Sequence, residues 1–275
     1  MDRVVDESFL RPTSQPSTMT VTYGDLTLDW FGYATLRIET AEGFVAYLDP
    51  GRYGVLTGEW TPGYPDSTHP EPVEYDARDG DLVCVTHDHH YDSDGIERVA
   101  APDATLAIYE AVDASNGSRD VRPVAELPFE VLRPNDNDGW AVDGVKLRTV
   151  PAYNRRDGPR SGPYGNVSHP EGFGCGFLLD FDGTTVCWTG DTDVLDFHAD
   201  LDVDVFVPPI GGTTLTMDQR EAADLAAALD PELVVPIHYD TFERLDADSR
   251  RFAAAVAEKG VPVALDENQT PTASR

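Results

Sequence analysis

Between residues 19 and 265 the chain alternates short apolar, β-branched runs with clusters of Gly, Asp, Asn and Pro, and patterns of helical period are few. Residues 21–23 and 26–30 flank Gly24-Asp25, a turn pair that predicts a first hairpin. Residues 35–39 and 44–48 predict a second. Residues 81–86 read without alternation, as expected of a strand covered on both faces. A short helix is predicted over 95–100, then a strand at 106–109 with a short helix to Ala114. Further strands are predicted at 121–125, 129–132, 140–142 and 145–150. A hairpin of 175–181 with 184–189 turns at Asp182-Gly183, and a buried strand covers 203–207. Thr216 or Asp218 caps a helix to about Leu229, whose Ala222, Leu225, Ala226 and Leu229 share one face. A strand at 233–237, a helix at 246–259 closed by Gly260, and a last strand at 261–265 complete the pattern. Two stretches, 52–79 and 151–174, lack periodicity. The first is long enough for a lid, and His69 within it reads as a surface histidine.

With 275 residues, 40% of them apolar, the chain can bury a large core. The reading is one domain over residues 19–267, a flexible arm at 1–18 and a flexible tail at 268–275. No apolar run approaches the ~20 residues of a membrane span, and no signal peptide opens the sequence. Fifty acidic residues face twenty basic ones, Lys146 and Lys259 being the only lysines, for a net charge of −30. The acids are spread through apolar-patterned segments, which indicates a folded chain whose self-repulsion is screened by salt. A salt-rich cytoplasm, as in a halophile, is therefore expected. Nucleic acid is a poor partner for such a charge. Cys84, Cys175 and Cys187 stand in strand-like runs without C-x-x-C spacing and are expected as small buried hydrophobes.

Chemistry concentrates after the apolar run at 82–85: three histidines and three aspartates, His87, Asp88, His89, His90, Asp92 and Asp94, fall within eight residues. Imidazoles and carboxylates in this density suit a Zn, Mn or Fe class cation; the plainer alternative is a polar surface loop in an acidic protein. The same grammar, an apolar strand followed at once by His or Asp, recurs at Asp191 and His238, and His169 follows a turn. Such residues can converge at one sheet edge, where α/β proteins bind ligands. Asp49 either holds a ligating histidine from behind or begins the Pro50-Gly51 turn. Arg155, Arg156 and Arg160 either bind an anionic substrate or pair with surface carboxylates.

These landmarks together resemble the metallo-β-lactamase fold superfamily, and most of all its UlaG-like metal-dependent hydrolases. The resemblance rests on Trp30-Phe31-Gly32, Leu48-Asp49-Pro50, Thr86-His87-Asp88-His89, Val150-Pro151-Ala152-Tyr153-Asn154 and His169-Pro170. It continues through Thr189-Gly190-Asp191-Thr192-Asp193, Pro209-Ile210-Gly211-Gly212 and Val235-Pro236-Ile237-His238-Tyr239. It implies an α/β (α+β) fold, a four-layer αββα sandwich. It also implies one or two ions, Zn2+ first with Mn2+ or Fe as alternatives. By position His87, His89 and His169 would bind the first ion, Asp191 would bridge, and His238 would serve the second. The sequence departs from the pattern H-x-H-x-D-H at Tyr91, Asp92 and Ser93. Asp92 is then the surviving carboxylate, and His90 the substitute for the missing histidine. Tyr33 stands where relatives often carry a histidine.

The implied activity is hydrolysis by metal-activated water of an ester-, lactone- or phosphoester-type small molecule. Asp92 and Asp191 would be its catalytic carboxylates, and Tyr33, Arg155 and Arg156 would contact substrate. The rival is a non-catalytic binding or sensing protein with a degenerate second metal site. The expected partner is a small molecule, an anionic one in the case of the arginines. No membrane partner is expected, and a homo-oligomer is compatible with the sequence.

Overall fold

The computed structural model describes residues 19–52, 54, 57, 75–114, 120–212, 214–241 and 243–265. The expected arm and tail, and most of the first irregular stretch with His69, lie outside the described residues. Two mixed sheets repeat one construction. In the first, β1 (Met19–Tyr23), β2 (Leu26–Trp30), β3 (Leu36–Thr40) and β4 (Val45–Leu48) form an antiparallel meander. To it β5 (Gly80–Val85), β6 (Ala100–Ile108) and β7 (Glu130–Leu132) add in parallel. In the second, β8 (Gly139–Val142), β9 (Val145–Ala152), β10 (Gly174–Phe181) and β11 (Thr184–Trp188) run antiparallel. There β12 (Val205–Val207) and β13 (Leu233–Val234) join in parallel.

Burial follows the sequence pattern. Along β9, Val145 and Leu147 are buried while Lys146 and Arg148 are exposed, the period of a half-covered strand. β5 lies between two parallel neighbours and is buried at every position but Asp81. Buried side chains of both sheets form one apolar cluster, with Trp30, Phe177, Trp188 and Phe206 among its largest members. Each such side chain contributes about 1.5–3 kcal/mol by leaving water. Cys84, Cys175 and Cys187 are free thiols within that cluster.

Among the described elements, α1 (Ser93–Val99), α2 (Gln219–Leu229) and α3 (Ser249–Glu258) accompany the sheets. α2 starts in a reciprocal cap, with Asp218 accepting from the Glu221 amide and Glu221 accepting from the Asp218 amide. It buries Ala222, Leu225 and Ala226 and packs on α3. Gly260, at φ 87°, takes the left-handed position just past α3.

Some expectations differ from the structure. The predicted strand at 121–125 is irregular, with a 3-10 turn over Val124–Glu126 entered from Pro123, whose missing N–H suits no ladder. The predicted last strand contributes a single bridge, Val234 to Val263. The helix predicted up to Ala114 is only a turn among the described residues. β6 begins earlier than predicted, because Pro102 falls in an irregular part of the β5–β6 ladder where no hydrogen bond is lost.

At one edge the two sheets are stitched together. Cys175 N–H donates to Thr86 O over 3.2 Å, and His238 N–H to Tyr33 O over 3.0 Å. His87 and Gly174 form a bridge so close that a Cβ at Gly174 would lie 2.8 Å from His87 Cβ. Only glycine permits that approach.

Candidate metal centre

The stitched edge gathers side chains from four places in the chain. β5 ends into the loop of His87, His89 and His90; β11 ends into Asp191. His169 comes from the loop between β9 and β10, and His238 follows β13. The spacings are those of ligands around an ion. His89 Nδ1 lies 3.0 Å from His169 Nε2, and His90 Nε2 lies 3.2 Å from His238 Nε2. Tetrahedral donors at about 2.1 Å from a cation stand about 3.4 Å apart. Two groups with mutually close donor atoms result: His87, His89 and His169, and His87, His90 and Asp191.

Asp191, a member of the second group, also faces the first. Its Oδ2 is 3.4 Å from His169 Nε2 and 3.8 Å from His87 Nε2; its Oδ1 is 3.6 Å from His238 Nε2 and 3.9 Å from His90 Nε2. One carboxylate thus turns one oxygen to each imidazole group. His87 Nε2 and Asp191 Oδ1 are buried without a hydrogen-bond partner. Leaving buried polar atoms unsatisfied costs about 1–3 kcal/mol each, a cost that a cation at this point removes. The residues present therefore fit a metal ion.

Electrostatics agree. Burial first, then the neighbouring His90, holds His87 and His238 well below the usual histidine range. His169 is pushed down to about 3, by burial and then His89. Neutral imidazoles are what a metal requires. Burial raises Asp191 to about 6, against the opposing charges of His90 and Arg52.

The imidazoles are aimed by their rear nitrogens. Asp49, at the end of β4, is fully buried and lies 2.9 Å from His90 Nδ1. It also accepts from Thr86 N, Thr86 Oγ1 and Trp188 Nε1 at 2.7–2.8 Å. Of the two readings of Asp49, the structure thus supplies the one in which it backs a histidine, although the left-handed turn (φ 45°) is there too. Asn154 Oδ1 accepts from His169 N and lies 3.2 Å from His169 Nδ1. His87 Nδ1 meets Thr86 Oγ1 at 2.9 Å. Such backing fixes the ring and the tautomer. Tyr33 is buried in left-handed backbone (φ 49°), its ring edge-on to His90 and tilted over His238, which is itself left-handed (φ 58°).

The remaining expected site residues lie elsewhere. Asp92 is in neither ligand group; its Oδ1 accepts from the amides of Asp94 and Gly95 and caps α1. His90 stands inside the centre instead. Arg155 pairs with Asp157 and Asp196, and Arg156 is exposed. Arg160 is buried on Asp193, Glu221 and the carbonyl of Thr216. Sequence reading did not single out Thr86 or Trp188 around Asp49, nor Arg52, whose Nε donates to His89 O over 2.7 Å. Arg52 carries no signal beyond its place next to Asp49-Pro50-Gly51.

The comparisons with known proteins point the same way. Residues 27–238 match the family model described as the beta-lactamase superfamily domain. A UPF0173 metal-dependent hydrolase of Thermococcus kodakarensis is 31% identical over 82% of this chain and 95% of its own. Among solved structures, a Parabacteroides distasonis protein shares the fold with TM-score 0.66 at 22% identity, covering 92% of this chain and all of that one. The metallo hydrolase Igni18 of Ignicoccus hospitalis does so with TM-score 0.62 at 23% identity, over 90% and 95% of the two chains. The chain belongs to the beta-lactamase superfamily domain family and, within it, to the UPF0173 metal-dependent hydrolases.

Proposed function

We propose that the centre hydrolyses an ester-, lactone- or phosphoester-type small molecule, using two cations that share Asp191. The carrying observation is that carboxylate's division between two imidazole groups. His87, His89 and His169 would hold one ion, and His90, His238 and Asp191 the second. The nitrogen-rich donor set favours Zn2+, with Mn2+ or Fe as alternatives. When bound, such a cation supplies Lewis acidity and lowers the pKa of water from ~16 toward ~7.

The chain's own contribution is positioning and exclusion of water. Asp49 and Asn154 hold His90 and His169 in one orientation, so neither ring reorganises as charge develops. Tyr33 covers the His90–His238 side with an aromatic face and limits solvent there. Asp191, raised to about 6 by burial in the metal-free protein, is mostly ionised at neutral pH, and bound cations would hold it in that form.

A second reading, a binding or sensing protein without turnover, is favoured by one observation: Asp92 caps a helix instead of facing the centre. A single screen separates the two. Protein loaded with Zn2+ in high salt is assayed on generic phosphodiester, lactone and thioester substrates. The hydrolase reading expects turnover that His87→Ala reduces to background; stoichiometric metal with no turnover on any substrate class supports the second. High salt belongs to the proposal too, since a charge of −30 fits a salt-rich cytoplasm. No helix among the described residues is long and apolar enough to cross a membrane.

A further inference from the structure

α2 and α3 pack side by side, and a cavity of about 430 Å3 opens between them. Small-molecule sites occupy roughly 300–1,000 Å3. The helices leave this room because alanines line it, Ala223 on α2 and Ala255 on α3. Arg251, Ala255 and Lys259 recur four residues apart, so one face of α3 and its C-cap turns toward the cavity. Arg220, Ala223 and Asp224 do the same on α2. Phe252, fully buried, adds an apolar surface. The wall toward the metal centre is backbone. Gly211 comes so close that a Cβ there would lie 2.7 Å from His238 O and 3.0 Å from Leu245 Cδ2, an approach that glycine permits. Neither Asp191 nor any imidazole lines the cavity.

Charge decides what fits there. The chain carries fifty acids against twenty bases, yet Arg220 and Arg251 are exposed and pair with no carboxylate among the described residues. Three carboxylates share the cavity wall. Asp218 is taken up by the α2 cap, where it accepts from the amides of Arg220 and Glu221. Asp224 is taken up by Lys259, whose Nζ lies 2.8 Å away. Asp246 remains, one carboxylate against two guanidinium groups. We infer that this cavity is a second ligand site, separate from the metal centre, for a small molecule bearing a phosphate or carboxylate group. Arg220 and Arg251 hold the anion from the two helices, and a guanidinium fork suits either group. Ala223, Phe252 and Ala255 receive the apolar body.

The test is calorimetric titration of the metal-loaded protein at one fixed potassium chloride concentration. The probes are sulfate, tetrahedral like a phosphate, and separately benzoate, a carboxylate with an apolar body. Wild type is compared with Arg220→Met and Arg251→Met, whose exposed side chains can change without disturbing the core. Arg250→Met serves as control, since Arg250 is exposed on α3 but does not line the cavity. His87→Ala reports on anions that bind at the metal centre instead. The expected result is a Kd for at least one probe that rises about tenfold in each of Arg220→Met and Arg251→Met, as for loss of a charge-assisted hydrogen bond. Arg250→Met and His87→Ala should bind that probe as wild type does. The responding probe then separates a phosphate-bearing from a carboxylate-bearing ligand. Four results overturn the inference: wild type binding neither probe, unchanged affinity in either cavity variant, an equal loss in Arg250→Met, or binding that disappears in His87→Ala. None of the four bears on turnover at the metal centre, so the hydrolase reading stands or falls separately.

Discussion

On one side of Asp191, His87 and His89 stand two residues apart on a single loop; on the other, His90 and His238 are separated by 148 positions. The first pair is set by local geometry, a turn in which His90 N–H donates to His87 O over 3.1 Å. The second pair exists only because the sheets are docked. His90 depends on Asp49, which is tied to Thr86 and Trp188 at the ends of two strands in different sheets. His238 depends on left-handed backbone, a conformation that costs a bulky residue about 1–3 kcal/mol. His89 is half-buried whereas His90 and His238 are fully buried. One side thus takes two of its three imidazoles from a single loop, His169 being 80 positions from His89, whereas both imidazoles of the other are brought together only by tertiary contacts.

The strongest way to break this contrast is from the loop that supplies His169. Arg160 clamps that loop onto Asp193, Glu221 and Thr216 with a side chain only 3% exposed. Arg160→Met leaves the buried Asp193 carboxylate without this cation and should cost about 3–5 kcal/mol in denaturant unfolding. Metal should be lost first from the His87–His89–His169 side. A smaller effect is expected from the opposite direction. Asp49→Asn keeps the shape of the buried cluster but removes the charge behind His90, and should weaken metal binding on the His90–His238 side about 10–100-fold. The other side should be unaffected in the same titration.

Much of this contrast could be read from the sequence. His87, His89, Asp191 and His238 each follow an apolar strand, and a strand end is a fixed point in a sandwich, so their convergence could be anticipated. The supports are legible only in part: Asp49 offers itself as a backing carboxylate and Asn154 closes a family landmark, but Trp188 and Arg52 act on partners 139 and 37 positions away, and nothing local marks them. Asp92 shows the converse. A family pattern makes it a carboxylate for the centre, but an aspartate two and three residues before free amides of a helix is an equally local cap. The strand pattern likewise fails at 121–125, where Pro123 intervenes, and at 261–265, where a single bridge to Val234 forms.

Per group, the smallest effect is the pH response of the metal-free protein. His87, His169 and His238 have folded pKa values below the unfolded value near 6.5, so their stability is fully present above that pH and is lost as pH falls. Between pH 6.5 and 5.5 His169, pushed down to about 3, should cost about 1 kcal/mol, and His87 and His238 act in the same direction. Asp191, raised to about 6, works the other way: its folded form takes up a proton over this range and gains stability as pH falls. The metal-free Asp191→Asn protein should therefore lose stability more steeply on acidification than wild type, measured as the denaturant midpoint at each pH.

The central claim is that two ligand groups share Asp191, and counting metal ions per chain tests it most directly. After equilibrium dialysis against Zn2+ in high salt, wild type should retain two ions per chain and His90→Ala one, with the remaining ion on His87, His89 and His169. A single ion in wild type, or two in His90→Ala, would contradict the account.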